Sequence, residues 1–280
     1  MTGLVLGGGF LGKKISAYLG YHNLESKIHS AEDVIYILDQ WKPTVVVNAI
    51  GKTGLKNIDW CEEHPKETHF SNTEIPHILA EECFKRNIYL VHISSGCIYQ
   101  GDGMGFGYTE KDEPQFFGQY YSKTKVMAEH LLKPYPDVLI VRPRMPFDGT
   151  PSPRNLITKI AQYKKVIDIE NSMTSVPEML QWLGALIEKR KTGIYNFTNT
   201  GTISPYRVME LYKKIVDPTH VVEKMTLSEL DAETLAKRSN CVLNSTKLAR
   251  SVHHVSHVES QVIACLTKYK ENLNEKNSTV

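Results

Sequence analysis

The chain has 280 residues, 41% hydrophobic and 23% charged, with a formal net charge of +2 at pH 7. That balance suits one large α/β domain, or a nucleotide domain with a smaller lobe, and excludes a disordered chain and the dense basic surface of a nucleic-acid binder. No apolar run approaches the ~20 residues that a membrane span needs. The first residues open into a strand and a glycine turn, so no signal peptide is expected. Five cysteines, at 61, 83, 97, 241 and 265, form no CxxC pair and no zinc spacing. They read as reduced thiols in a cytoplasmic protein with no metal site.

In chain order, the pattern predicts a strand over Leu4–Leu6 and a helix over Phe10–Leu19. A second, short strand is placed at Ser26–His29, and a Val-rich strand at Val45–Asn48. A helix follows over Thr73–Arg86, with Ile75, Ile78, Leu79 and Cys83 on one face. Strands at Ile88–Ile93 and Val138–Arg142 flank a helix over Tyr120–Leu132. Strands alternating with helices, apolar enough for burial on both faces, predict a doubly wound parallel sheet. The second half is less regular. Helix patterns lie near 155–163, 178–190, 204–215, 226–236 and 258–269, and a strand at Gly193–Phe197 is a candidate to rejoin the main sheet. A polar tail is expected after Tyr269. The domain reading is a nucleotide-binding domain over 1–145 and mainly a smaller C-terminal substrate-binding lobe over 146–280.

Gly7, Gly9 and Gly12 fit G-x-G-x-x-G between the first strand and the first helix, with Phe10 and Leu11 inside the turn. The first glycine makes the tight turn, the second admits a pyrophosphate, and the third lets helix pack on strand. The helix N-terminus offers free N–H groups to phosphate. This context marks a Rossmann-like dinucleotide site. An NAD site wants an acidic residue at the end of the second strand. With that strand at Ser26–His29 none follows directly, and Lys27 or His29 is available to a 2′-phosphate. NADP(H) is therefore favoured, with NADH left open.

Tyr121 and Lys125 stand four apart on one helix, so they share a face. A phenol of ordinary pKa ~10 moves toward neutrality beside an ammonium, which suits a proton donor to a developing alkoxide. Ser95 lies just past the carboxyl end of the preceding strand, where such sheets bind ligands. Together Gly7/Gly9/Gly12, Ser95 and Tyr121/Lys125 resemble the extended short-chain dehydrogenase/reductases. That resemblance implies that Ser95 holds the substrate oxygen, Tyr121 gives the proton and Lys125 positions ribose. It also matches Asn72 to a cofactor-side asparagine near the lysine.

Longer segments are more specific. Asn57–Glu62, Ser95–Tyr99, Phe117–Lys125, Arg142–Pro146, Pro153–Lys159, Asn171–Thr174 and Arg238–Asn240 together resemble the plant-type nucleotide-rhamnose synthase/epimerase-reductases, in order over about residues 4–270. The resemblance implies a bifunctional enzyme. It would epimerise C3 and C5 of UDP- or dTDP-4-keto-6-deoxyglucose, then reduce C4 with NADPH. It assigns the epimerase acid/base pair to Cys97 and Lys159, taken as base and acid respectively. The chemistry is consistent. A 4-ketone acidifies C3–H and C5–H, a cysteine's ordinary pKa of ~8.5 falls beside a cation, and a buried lysine titrates readily. Arg238 resembles a diphosphate clamp, and Arg154, Asn155 and Asn171 are candidates to line the substrate cleft. The glycine turn departs from the family's Gly-x-Thr-Gly-Trp-Ile-Gly form, and Ile50–Gly54 departs from its usual Ala-Ala-Gly-x-Thr-Gly. The alternatives are a monofunctional 4-keto-rhamnose reductase and a non-catalytic NADP-binding regulatory subunit. No membrane or nucleic-acid partner is expected, and a homodimer is left open.

Overall fold

A computed structural model describes residues 2–54 and 57–278, with backbone alone for 276–278. The strands are β1 (Gly3–Leu6), β2 (His22–Leu24), β3 (Val45–Asn48), β4 (Tyr89–Ile93), β5 (Val138–Pro143), β6 (Pro146–Phe147), β7 (Lys165–Ile167), β8 (Thr174–Ser175), β9 (Gly193–Phe197) and β10 (Glu223–Met225). Six of them form one parallel sheet in the order β2-β1-β3-β4-β5-β9.

The two-residue period of the strands divides the core. Val5, Val45, Val47, Val91, Leu139 and Val141 point to one face. There they meet Ile15 of helix Phe10–Leu19 and Met179, Trp182 and Leu186 of helix Val176–Glu188. Leu4, Leu6, Val46, Leu90 and Ile140 point to the other. They pack on Val34, Ile37 and Leu38 of helix Ala31–Trp41 and on Ile75, Leu79 and Cys83 of helix Ile75–Lys85. The central strands β1, β3, β4 and β5 thus bury both faces, which is why β3 reads Val-Val-Val.

Beyond β5 the chain leaves the sheet and returns to it through helix Val176–Glu188 and β9. A third apolar cluster, including Phe147, Ile157, Met173, Met209, Val258, Val262 and Leu266, forms the core of the smaller lobe. Small pairs β7–β10 and β6–β8 lie outside the main sheet. Where β5 meets helix Tyr120–Leu132, Arg142 and Glu129 form a buried ion pair. Arg142 Nε donates to both Glu129 oxygens at 3.0 and 3.1 Å, and Ser94 Oγ donates to Glu129 Oε1 at 2.5 Å.

Three expectations are corrected. The second strand is His22–Leu24, not Ser26–His29. It pairs along β1 through Leu4↔His22, Val5↔Asn23 and Leu6↔Leu24, an edge register that polar residues tolerate. The helix expected from Thr73 begins at Ile75 and is preceded by a π-turn over Phe70–Glu74. The last helix runs from Val258 to Ser278, past the expected tail at Tyr269. Its buried face ends near Tyr269, and the Lys and Glu residues that follow are good helix formers, with Lys268 paired to Glu271 at 3.0 Å. Among the described residues no helix is long and apolar enough to cross a membrane.

Candidate active site

The glycine turn sits at the topological switch point, where β1 is flanked by β2 and β3 and the sheet order reverses. Gly7 has φ +116°, a conformation that side chains rarely adopt. Its N–H donates to Leu24 O at 3.0 Å, tying the turn to the end of β2. A Cβ on Gly12 would lie 1.9 Å from Gly7 O, so helix and turn meet only because Gly12 has none. Gly9 is the helix N-cap, has no side-chain cap, and looks onto open space, with nothing within 4 Å of an added Cβ. The residues therefore fit a dinucleotide pyrophosphate: an uncapped helix N-terminus with room above it. Phe10 and Leu11 pack against the first core cluster, so their role in the turn is to seat the helix. A cavity of about 350 Å³ continues from Gly7–Gly9 past Ala49–Lys52 to Phe70 and Ile75. Its far wall is Glu25, Ser26, Lys27 and His29. Because β2 ends at Leu24, Glu25 is the residue at the strand end, and the expectation that no acidic residue stands there is corrected.

Across the switch point, Asn72 on the π-turn is fully buried. Its Oδ1 accepts from Lys52 N at 2.8 Å, and its Nδ2 donates to Lys52 O and Thr124 Oγ1 at 3.1 and 3.2 Å. It thus clamps the loop after β3 to helix Tyr120–Leu132. A Cβ on Gly51 would touch both Asn72 Oδ1 and Lys125 Nζ at 3.4 Å. Lys125 is buried and donates to Ile93 O at 3.2 Å. An ammonium has three donors, and Ile93 O takes one of them among the described residues. Burial pushes Lys125 down to about 8, with Glu129 and Cys61 opposing.

Tyr121 lies on the same face, its ring centroid 6.0 Å from Lys125 Nζ. Lys125 was expected to lower the phenol. Instead burial pushes Tyr121 up, the Cys97 thiol adds to this, and a hydrogen bond with Ser95 pulls it back. Burial is the largest influence, and Lys125 is not among the groups that shift the phenol. Tyr121 is a phenol that stays protonated at neutral pH, as a proton donor must.

Ser95 Oγ also accepts from Cys97 N at 3.1 Å. Cys97 Sγ in turn accepts from Arg144 Nη1 at 3.1 Å. Arg144 is buried just beyond β5. It also donates to Ser239 Oγ at 3.2 Å, to Ser239 O at 2.7 Å and to Asn171 Oδ1, and its Nε has no partner among the described residues. A buried guanidinium whose bonds go to neutral groups and one thiol is unusual, since buried cations normally find a carboxylate. Arg144 is the site residue that the sequence reading missed.

The remaining candidates divide. Lys159, on helix Leu156–Ile160, is half-buried. Burial first, and then Arg154, hold its ammonium below the usual range. Arg154 Nη1 donates to Gly54 O at 2.5 Å, bridging the lobe to the loop after β3. Arg238 pairs with Asp59 at 2.9 Å. Burial works against that carboxylate, but bonds from Arg238 and the Ala236 N–H hold it below the usual range. Asn155 and Asn171 are fully buried and spend their amides inside the protein. Asn155 caps its helix at Ile157 N and donates to Asp148 O at 2.7 Å and Thr150 O at 2.9 Å. Asn171 holds Arg144 and accepts from Cys241 N at 3.0 Å. Both side chains are enclosed, and their amides are bonded within the protein.

Residues 9–271 match the family model of the RmlD substrate binding domain. A bifunctional dTDP-4-dehydrorhamnose 3,5-epimerase/dTDP-4-dehydrorhamnose reductase of Arabidopsis thaliana is 38% identical over 263 residues, 91% of this chain and 87% of that protein. A trifunctional UDP-glucose 4,6-dehydratase/UDP-4-keto-6-deoxy-D-glucose 3,5-epimerase/UDP-4-keto-L-rhamnose-reductase of the same plant is 36% identical, but this chain spans only 39% of its length. The crystal structure of the L780 UDP-rhamnose synthase from Acanthamoeba polyphaga mimivirus superposes with a TM-score of 0.87 at 31% identity, over 95% of this chain and 99% of that one. By its glycine cradle, its sheet and these matches, the chain belongs to the RmlD substrate binding domain family.

Proposed function

We propose that this chain is a nucleotide-sugar 3,5-epimerase and 4-reductase that converts UDP-4-keto-6-deoxy-D-glucose to UDP-L-rhamnose. One observation carries the reading: Ser95 Oγ, beside the Tyr121 phenol, accepts from the Cys97 N–H at 3.1 Å, and the Cys97 thiol accepts from Arg144 Nη1 at 3.1 Å, so a phenol, a hydroxyl and a cation-bound thiol are gathered at one place. A carbonyl held by the first two has its α-carbon hydrogens within reach of the third. The UDP form follows the names of two of the relatives, and dTDP is the competing nucleotide.

Ser95 and Tyr121 hold the C4 oxygen as negative charge develops on it. Cys97, as thiolate, takes the proton from C3 or C5. Its charge is matched by the Arg144 guanidinium, a charge-assisted contact. Lys159 returns a proton on the opposite face, inverting the carbon; Cys97 then releases its proton to solvent and Lys159 regains one, so the same pair serves the second carbon. After both inversions Tyr121 gives its phenolic proton to O4, and Lys125 holds the ribose that sets the approach to C4. The bound dinucleotide, as NADPH or NADH, supplies the hydride to C4.

The test is incubation with UDP-4-keto-6-deoxy-D-glucose and reduced dinucleotide. UDP-L-rhamnose should form with one cofactor oxidised per sugar. A D-configured product, or no oxidation with any 4-keto-sugar nucleotide, would contradict the proposal.

The buried lysine sets the pH dependence. Lys125 titrates at about 8, whereas Tyr121 is pushed upward and keeps its proton. The rate of reduction should therefore fall above pH about 8, as the ammonium loses its charge. This limb belongs to Lys125, and kcat/KM measured from about pH 6 to 10 checks it. A profile flat through about pH 9.5 would count against Lys125 acting as a cation.

A further inference from the structure

We infer that Glu25 makes this chain select NADH over NADPH, by accepting the adenosine ribose hydroxyls and repelling a 2′-phosphate. The inference rests on the dinucleotide reading of the glycine turn and not on the identity of the sugar.

Three observations place the carboxylate. Glu25 directly follows β2, and the preceding carbonyl, Leu24 O, accepts from Gly7 N at 3.0 Å. The end of β2 and the phosphate turn are therefore one rigid corner. The Glu25 side chain lies over that corner: a Cβ on Gly8 would stand 2.7 Å from Oε2 and 2.8 Å from Cδ. Glu25 also lines the same cavity as Gly7–Gly9. In an open α/β sheet this strand end faces the adenosine ribose. A carboxylate there has only acceptors, which suit the 2′- and 3′-hydroxyls.

A 2′-phosphate meets the opposite conditions. It carries up to two negative charges, in the range of a phosphate monoester near neutral pH. Lys13, the cation that reaches this corner from helix Phe10–Leu19, is already engaged with Glu25 Oε1 at 3.0 Å. Lys27 and His29 line the cavity as well, but the neighbouring backbone carries a second acid: His29 N donates to Asp33 Oδ2 at 2.7 Å. Glu25 is more than half exposed, so its side chain can turn from Lys13 to a ribose without breaking buried structure. The corner thus sets the carboxylates of Glu25 and Asp33 against the ammonium groups of Lys13 and Lys27, a balance that suits a neutral diol and leaves no net positive charge for a dianion.

The test is direct binding by the whole protein without sugar, following NADH and NADPH separately by calorimetry. The wild type should bind NADH about tenfold or more tightly than NADPH, the scale of a charge-assisted hydrogen bond. Glu25→Gln should weaken NADH and strengthen NADPH, moving their ratio about tenfold toward NADPH. NADPH bound as tightly as NADH by the wild type would overturn the inference. So would a ratio unmoved by Glu25→Gln, including equal weakening of both, which would mark Glu25 as merely structural. Binding of neither dinucleotide would overturn the cofactor reading itself, whereas failure with the sugar alone would leave this inference intact.

Discussion

Tyr121→Phe should lose roughly 10²–10⁴-fold in kcat for ketone reduction while leaving dinucleotide affinity nearly unchanged. The phenol is the group proposed to give O4 its proton, and it is buried, so water cannot readily replace it. The ring remains and the cavity is unchanged, so helix Tyr120–Leu132 and the Lys125 position should hold. Ser95 still offers one hydrogen bond to the C4 oxygen. Exchange at C3 and C5 should therefore fall less steeply than reduction. Single-turnover absorbance at the reduced-nicotinamide band separates cofactor binding from reduction, because binding precedes the decay. A parallel loss of cofactor affinity and rate would assign Tyr121 a packing role instead.

Cys97→Ala carries the second large effect. Removing a general base costs roughly 10²–10⁴-fold in the step it serves. Proton exchange at C3 and C5 should fall by that amount, and with it UDP-L-rhamnose formation from the unepimerised substrate. A 4-keto-L-rhamnose nucleotide, already inverted, should still be reduced, since Tyr121, Ser95 and Lys125 are untouched. Arg144→Gln should weaken exchange in the same direction, because the guanidinium that donates to Sγ at 3.1 Å is replaced by a neutral group. If Cys97→Ala and Lys159→Ala both leave exchange intact, the epimerase half of the proposal fails and a plain reductase remains.

Much of this arrangement is legible in the sequence because its signals are local. Gly7, Gly9 and Gly12 lie in six residues, and the backbone uses them as expected: a positive φ at Gly7, space at Gly9 and contact at Gly12. The Val-rich runs of β3 and β5 declare their double burial, and Tyr121 and Lys125 share a face because helical periodicity puts them there. What escaped was either short or distant in sequence. The strand His22-Asn23-Leu24 has three residues and no β-branched one, so the apolar pattern slid to Ser26–His29 and passed over Glu25. Arg144 and Cys97 meet across 47 residues, a contact that no local pattern announces. Asn155 and Asn171 look like ligand-binding amides in their motifs, but each satisfies the backbone of a loop. A polar residue in a motif is as often the support of a site as its surface, and only burial separates the two.

In the proposed reaction one pocket both inverts two carbons and reduces the ketone between them. Turnover of UDP-4-keto-6-deoxy-D-glucose with unlabelled reduced dinucleotide in deuterated water tests it most directly. UDP-L-rhamnose should carry deuterium at C3 and C5, delivered through exchangeable groups, and protium at C4, delivered as hydride. Product without deuterium at C3 and C5, or a D-sugar reduced at C4 alone, would contradict it.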